Sequence, residues 1–449
     1  MEAADVAWVL ASSALVLFMT PGLALFYGGM DRSRNVLNMV MMNFWCLLVV
    51  PLVWAIAGFS LAYSGSGSFI GNLDWAFLNG MGISDASGGG ATLAAVAFLG
   101  MFAVITPALI SGAVADRMKF SAWALFVPAW LLLVYCPVSF WIYGGVWGDG
   151  LTGWLGVRGS LDFAGGTVIH VNAGIAALAA VLVLGRRKGW PREGHPPHSM
   201  PLVMLGAGIL WFGWFGFNAG SAFAANGTAI QAFVNTFLAA AAAGLAWAVV
   251  ERIRDGHFTN LGAASGIVAG LVAITPGAGF VAGMSPIIIG LIAGVVCCYG
   301  VGLKFKAKYD DSLDVVGVHF MGGLVGSLLI GFFADPAFFG GEFGTGLFYG
   351  GGVALLLEQL LANAVTIVYS FAVTFVIMKV LAVTIGVRVD EDAEDTGLDL
   401  AEHGETAYSP GDALLGTHGG DGAGAPVRPS RSTTATSESE QTRARAVIE

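Results

Sequence analysis

The chain has 449 residues, of which 56% are hydrophobic and only 11% charged, and it carries a formal net charge of −10. Soluble domains average about 25% charged residues, so this composition, with a mean hydropathy of +0.76, excludes a soluble enzyme and places the chain in a lipid bilayer. Its 66 glycines point to closely packed helices, because in lipid no hydrophobic force draws helices together and small residues let backbones approach.

Cutting the sequence at charged and turn-rich stretches gives eleven apolar segments, at about 6–28, 37–60, 91–113, 120–142, 161–185, 201–220, 229–251, 260–276, 283–303, 314–335 and 345–380. Each is near the roughly 20 residues that a spanning helix needs. The leader Met1 to Asp5 is acidic and lacks the basic region of a secretory signal, so the first segment reads as a span. Alternate connections carry Arg32 and Arg34, then Arg117 and Lys119, then Arg186, Arg187, Lys188 and Arg192, then Arg252 and Arg254, then Lys304, Lys306 and Lys308, and finally Arg388. The opposite set carries Arg158 alone. Basic loops stay in the cytoplasm, so the N-terminus is expected outside and the C-terminus inside. The four cysteines, Cys46, Cys136, Cys297 and Cys298, fall in apolar segments without metal-type spacing and are expected to be inert packing side chains.

The fifth and tenth segments each carry a histidine in a matching setting. Asp162 precedes His170 by eight positions, as Asp311 precedes His319, and small pairs follow at three and four positions, Ala173-Gly174 and Gly322-Gly323. An ionisable group at membrane depth is costly and is read first as functional. The two histidines are about 150 residues apart, roughly half of the hydrophobic chain, as expected of two related halves facing each other. The expected fold is therefore an all-α membrane protein of eleven transmembrane helices. Two related halves, about 6–185 and 201–335, are followed by an eleventh helix at about 345–380, and together they form a membrane domain over 1–388. After Arg388, residues 390–405 hold eight acids and no Lys or Arg. Residues 389–409 are read as a cytoplasmic regulatory tail. Residues 410–449, rich in Gly, Ser, Thr and Pro, are expected to be disordered for want of apolar surface to offset the entropy of ordering.

Three strings then carry a resemblance: Leu161 through Gly174, Gly213-Trp214-Phe215-Gly216-Phe217-Asn218-Ala219-Gly220-Ser221, and Asp314-Val315-Val316-Gly317-Val318-His319. With the tail string Gly397-Leu398-Asp399, His403-Gly404-Glu405 and Ala407-Tyr408, they resemble the ammonium transporters, specifically the Amt branch of the Amt/Mep/Rh family, over about residues 5–408. The resemblance implies two pseudo-symmetric inverted five-helix halves followed by the eleventh helix, and a homotrimer with one pore per subunit, in the plasma membrane. It implies recruitment of ammonium at an outer vestibule by Trp147, Ser221 and Phe102, a gate of Phe102 and Phe217, and a pore carrying His170 and His319. It also implies that a PII-type, GlnK-like signal protein meets the cytoplasmic face and the tail residues Gly397, Asp399 and Glu405.

Each role has its own physical rationale. An aromatic face replaces part of a cation's lost hydration, by about 0.5–2 kcal/mol. Two imidazoles sharing a proton offer one donor and one acceptor while staying neutral as a pair. Asp162 is expected to be structural, its carboxylate receiving backbone N–H groups at a helix start, rather than a proton acceptor. Asp399 and Glu405 are expected to pair with basic loop residues such as Arg117, Lys119 or Lys306, and His195 and His198 to be solvated. The expected activity is inward ammonium transport by deprotonation and ammonia conduction with net charge movement, without enzymatic chemistry, cofactor, metal or nucleic-acid partner. Two alternatives stand beside it: an ammonium sensor signalling through a PII-type protein, and an intramembrane haem or metal redox protein, for which two histidines supply too few ligands.

Overall fold

The computed structural model describes residues 2–82, 93–147, 150–339 and 344–408. Among the described residues, eleven helices are long and apolar enough to cross a membrane: α1 Ala3–Met30, α2 Val36–Tyr63, α3 Leu93–Val114, α4 Phe120–Tyr143, α5 Gly166–Leu184, α6 Met200–Gly220, α7 Gly227–Arg254, α8 Asn260–Gly277, α9 Ser285–Ala307, α10 Val316–Phe333 and α11 Ala354–Thr384. Two short helices follow, α12 Glu391–Thr396 and α13 Leu398–His403. Among the described residues there is no β-strand, and an isolated bridge joins Met118 to Arg388. The protein is an all-helical, multi-pass membrane protein, and all of these helices lie in one compact unit, Met1–Ala407. The second unit is Tyr408–Glu449; of it only Tyr408 is described, so the disorder expected of 410–449 lies outside the described residues.

Neighbouring helices follow a repeating scheme. The pairs α1–α2, α1–α3, α2–α3, α2–α4 and α3–α5 recur, with five added to each number, as α6–α7, α6–α8, α7–α8, α7–α9 and α8–α10, while α1 packs on α6 and α5 on α10. Helices that alternate in direction and sit five apart cross in opposite senses, so this is the packing that inverted halves require. The eleventh helix lies outside the scheme, against α4, α5 and α10.

Glycine makes the closest of these crossings. A Cβ on Gly206 of α6 would stand 2.4 Å from the backbone nitrogen of Phe26 in α1, and one on Gly290 of α9 would stand 2.3 Å from the carbonyl of Ala239 in α7. The four cysteines are free and buried, in keeping with packing roles.

Two boundaries differ from the sequence expectation. Helix α5 begins at Gly166 rather than near 161, because the preceding residues form a loop folded around the Asp162 carboxylate. Helix α11 begins at Ala354, nine residues beyond the expected 345. Gly350 and Gly352 adopt φ of +92° and +67°, left-handed conformations that end any helix, so Leu347–Tyr349 remains a separate 3₁₀ turn.

Gly206→Val is expected to force α1 and α6 apart and destabilise the fold by about 1–3 kcal/mol, the usual range for overpacking. A thermal-shift measurement on the detergent-purified variant checks this, and an unchanged melting temperature would contradict it.

Candidate functional site

The histidines are aimed at each other by the way their helices begin. Both α5 and α10 open with a π-helical turn, Gly166–Val171 and Val316–Phe320, which contain His170 and His319. Such wide turns often mark functional sites. At the foot of α5, Asp162 Oδ1 accepts hydrogen bonds from the amides of Gly165 (2.9 Å) and Gly166 (2.6 Å), and Oδ2 from those of Thr167 (2.9 Å) and Val168 (3.0 Å). Asp311 repeats the arrangement for α10, accepting from Val315 (3.1 Å) and Val316 (2.7 Å). Burial pushes the Asp162 carboxyl up to about 6, with the four amides acting in the opposite direction. Each carboxylate satisfies amides that the first helical turn leaves without partners.

The small residues four positions after each histidine permit the crossing itself. A Cβ on Gly323 would stand 3.0 Å from the Cβ of His170, and one on Gly174 would stand 2.4 Å from the amide nitrogen of Phe320, next to His319. The two rings meet with Nδ1 atoms 3.2 Å apart, their planes within 14°. Trp214 stacks on His170 at 5.4 Å and is itself fixed by donating from Nε1 to Thr275 Oγ1 at 2.8 Å. Two Nδ1 atoms in hydrogen-bond contact require one donor and one acceptor, so a neutral pair holds opposite tautomers. One outer Nε2 then carries a proton and the other a lone pair. His170 Nε2 is buried without a protein partner.

Around the pair lies a narrow space of about 10 Å³ whose other walls include Met19, Leu23, Phe26, Ile105 and Leu109. That is about the volume one water-sized molecule occupies. A wider cavity of about 220 Å³ lies on the other side of the phenylalanines and is lined by Trp147, Ser221, Phe102, Phe223, Tyr143 and further residues. Phe102 borders the wide cavity and Phe217 the narrow one, and the two rings stack at 4.2 Å with planes 28° apart. The stacked rings therefore separate the two spaces. Ser221 Oγ donates to the carbonyl of Phe217 at 2.9 Å, and Trp147 meets the edge of Phe223 at 4.5 Å.

The structure thus brings Trp147, Ser221, Phe102, Phe217, His170 and His319 into one column, with Asp162 beside it at the start of the helix that carries His170. It also supplies Phe223, Tyr143 and Trp214, which sequence reasoning did not single out. Trp214 stood inside a string already quoted, one residue type among thirteen tryptophans; Phe223 is held at φ +51°, and nothing in the sequence reveals that. Among the described residues no group of three or more His, Cys, Asp or Glu side chains is disposed to hold a metal ion.

At the end of the helices that carries the basic loops, the tail segment is docked. Gly397, at φ +107°, brings its Cα so close to Arg34 that a Cβ would lie 2.6 Å from the Cβ of Arg34. Asp399 and Glu405 do not make the ion pairs expected with Arg117, Lys119 or Lys306. Asp399 Oδ1 accepts from the amide of Asn38 at 2.8 Å, its amide donates to the carbonyl of Arg34, and the amide of Glu405 donates to the carbonyl of Asp399. Arg117 is turned inward, donating to Ser312 Oγ (2.7 Å) and the carbonyls of Gly185 and Asp310. The physical reason is local: the first turn of α13 faces backbone donors, which a carboxylate reaches without ordering a long cationic side chain. The tail's ion pairs come from its other acids, Glu394 with Arg388 (2.7 Å) and Asp395 with Lys188 (2.5 Å). His195 and His198 are also not simply solvated. His198 Nδ1 lies 2.9 Å from the carbonyl of Asp31, and His195 lines an inner cavity of about 210 Å³.

Among the described residues, eleven apolar helices enclose two cavities divided by a stacked aromatic pair, an architecture of the membrane-transporter class. The chain belongs to the ammonium transporter family, whose sequence profile matches residues 7–408. It is 50% identical over 434 residues to an ammonium transporter of Mycobacterium tuberculosis, covering 91% of this chain and 90% of that one. The crystal structure of Candida albicans Mep2 superposes with a TM-score of 0.81 at 34% identity, over 91% of each chain. A protein described as a sensor Amt protein superposes with a TM-score of 0.82 at 29% identity, over 89% of this chain and 98% of that one.

Gly397→Val should release the tail, since the left-handed backbone and the contact with Arg34 both exclude a branched side chain. Limited proteolysis of the purified variant is expected to cleave after Arg388 much faster than in the parent protein. Equal rates would contradict this docking.

Proposed function

We propose that the protein carries ammonium inward across the plasma membrane as ammonia and a proton, with its N-terminus outside and its tail in the cytoplasm. The observation that supports this reading best is the position of the Phe102–Phe217 stack between a wide aromatic cavity and the narrow histidine-lined space. In this reading Trp147 offers its ring to the cation by cation–π attraction and Ser221 accepts one of its N–H bonds, so ammonium is concentrated without being trapped. Carrying the intact charge past Leu23, Ile105 and Leu109 would cost at least about 3 kcal/mol on insertion scales. The cation therefore gives up a proton outside the stack. Ammonia passes when the phenylalanines part, then accepts from one histidine Nε2 and donates to the other. The proton crosses through the histidine pair, giving net charge movement, and Asp162 holds the start of α5 in place without exchanging protons.

The same reading includes three subunits, each with its own pore, and a trimeric PII-type protein that engages the cytoplasmic loops and the docked tail when nitrogen is plentiful. A sensor role exercised through such a partner is the second reading, supported by the likeness to the sensor Amt protein. Among the described residues, the absence of a third ligand group near the histidines weighs against a metal redox site.

Replacing both His170 and His319 by Ala should abolish the saturable ammonium-evoked current of the purified, reconstituted protein while leaving it folded by size-exclusion chromatography. Full current with unchanged selectivity would remove the pore assignment. For the partner, pull-down with PII proteins from the same organism is expected to give a complex that responds to ADP against ATP plus 2-oxoglutarate. No association under either condition would contradict it.

A further inference from the structure

The cavity of about 210 Å³ lies beyond the narrow histidine space, toward the basic loops. Phe26 of α1 lines the narrow histidine space, and Asp31, five residues further along the same strand of chain, lines the inner cavity. On α10's side His319 lines the narrow space and Asp314, five residues earlier, lines the inner cavity. At 1.5 Å per residue these steps carry the path about 7–8 Å inward on both walls.

Asp31 is an unusual group in this place. It is only 2% exposed, and its Oδ1 accepts from the amide of Arg32 at 2.7 Å. Its Oδ2 makes no geometrically sound hydrogen bond, although the carboxyl stands close enough to Asp116 for the two to interact. A buried carboxyl oxygen without a donor is costly when ionised. Other acids around this cavity are paired. Asp116 accepts from Arg32 Nε (2.9 Å) and Arg187 Nη1 (3.0 Å), Asp310 pairs with Arg187 (2.8 Å), and Lys304 pairs with Asp314 (2.7 Å). Glu193 and His195 close the cavity from the loop after α5, and His198 Nδ1 lies 2.9 Å from the Asp31 carbonyl. Asp31 is therefore the buried acid of the inner mouth whose proton is not committed to an ion pair.

We propose that Asp31 is the group that returns a proton to ammonia as it leaves the passage. This rests on the reading that ammonia crosses without its proton. In the step, the nitrogen lone pair forms a new N–H bond as the O–H bond of Asp31 breaks, leaving ammonium beside a carboxylate. The proton that crosses with each ammonia then reprotonates Asp31, and the starting state is restored with no change in oxidation state. Burial, then the charge of Asp116, push the Asp31 carboxyl well above the ordinary carboxylate range. Both favour the protonated acid, and an amine is a far stronger base than a carboxylate and takes the proton readily. The new cation is formed beyond the apolar passage, where the cost of carrying a charge back past Leu23, Ile105 and Leu109 opposes its return.

The test is uptake of labelled methylammonium into right-side-out vesicles loaded at pH 6 or pH 8, comparing each variant with the parent protein at the same internal pH. Asp31→Asn is expected to lower the initial rate by about tenfold or more at internal pH 8, the scale of a lost general acid. At internal pH 6, where hydronium is a hundred times more abundant and substitutes for the carboxyl, the rate should approach that of the parent. Asp31→Glu should retain the parent profile, and half-saturating external substrate should be the same throughout. A loss of equal size at both pH values would mark a merely structural residue, and parental rates for Asp31→Asn at pH 8 would mark an idle one; either overturns the proposal. The His170→Ala/His319→Ala variant is run beside it: full uptake there removes the underlying passage, whereas its loss together with an indifferent Asp31→Asn removes only the role of Asp31.

Discussion

The energetic cost of placing a charge in the apolar centre of a membrane governs every other feature of this molecule. Only two ionisable side chains, His170 and His319, line the narrow space, and they share a hydrogen bond in which a neutral pair is self-satisfied. Everything around them serves that arrangement. Asp162 and Asp311 end the loops and start the helices, π turns rotate the rings inward, and Gly174 and Gly323 let α5 and α10 cross at that level. The result is polar groups held where lipid-like surroundings would otherwise reject them, without a free charge.

The charged side chains of the chain are correspondingly pushed to the ends of the helices, where they form a connected layer. Arg187 bridges Asp116 and Asp310, and Asn35 donates to Asp116 while accepting from the amide of Leu398 in the tail. The inner mouth of the passage and the docked tail therefore share side chains. A displacement of the tail would be felt at Asn35 and at Asp116, which lines the cavity of about 210 Å³.

Much of this was legible in the residues themselves. Hydropathy gave eleven spans because each apolar run is bounded by charges that cannot enter lipid. The histidine pair was legible because two settings matched position by position, Asp162 to His170 and Asp311 to His319. What escaped was whatever depends on a single backbone angle or on long-range approach. Nothing local says that Gly350 and Gly352 break the start of α11, that Asp399 turns to the amide of Asn38 rather than to a lysine, or that Phe223 lies against Trp147. Asp31 was equally silent, since an acid at the end of a span reads as an ordinary surface group until its burial and missing donor are seen.

The most direct measurement of the central claim, that the nitrogen crosses without its charge, is current recording on membranes containing the purified protein, with ammonium and potassium presented in turn. Potassium is close to ammonium in size but has no proton to give up. Ammonium should evoke a saturable inward current, and potassium, even in large excess, should evoke none. A potassium current comparable to that of ammonium would mean that intact cations pass the phenylalanine stack and the histidine pair, and would contradict this mechanism.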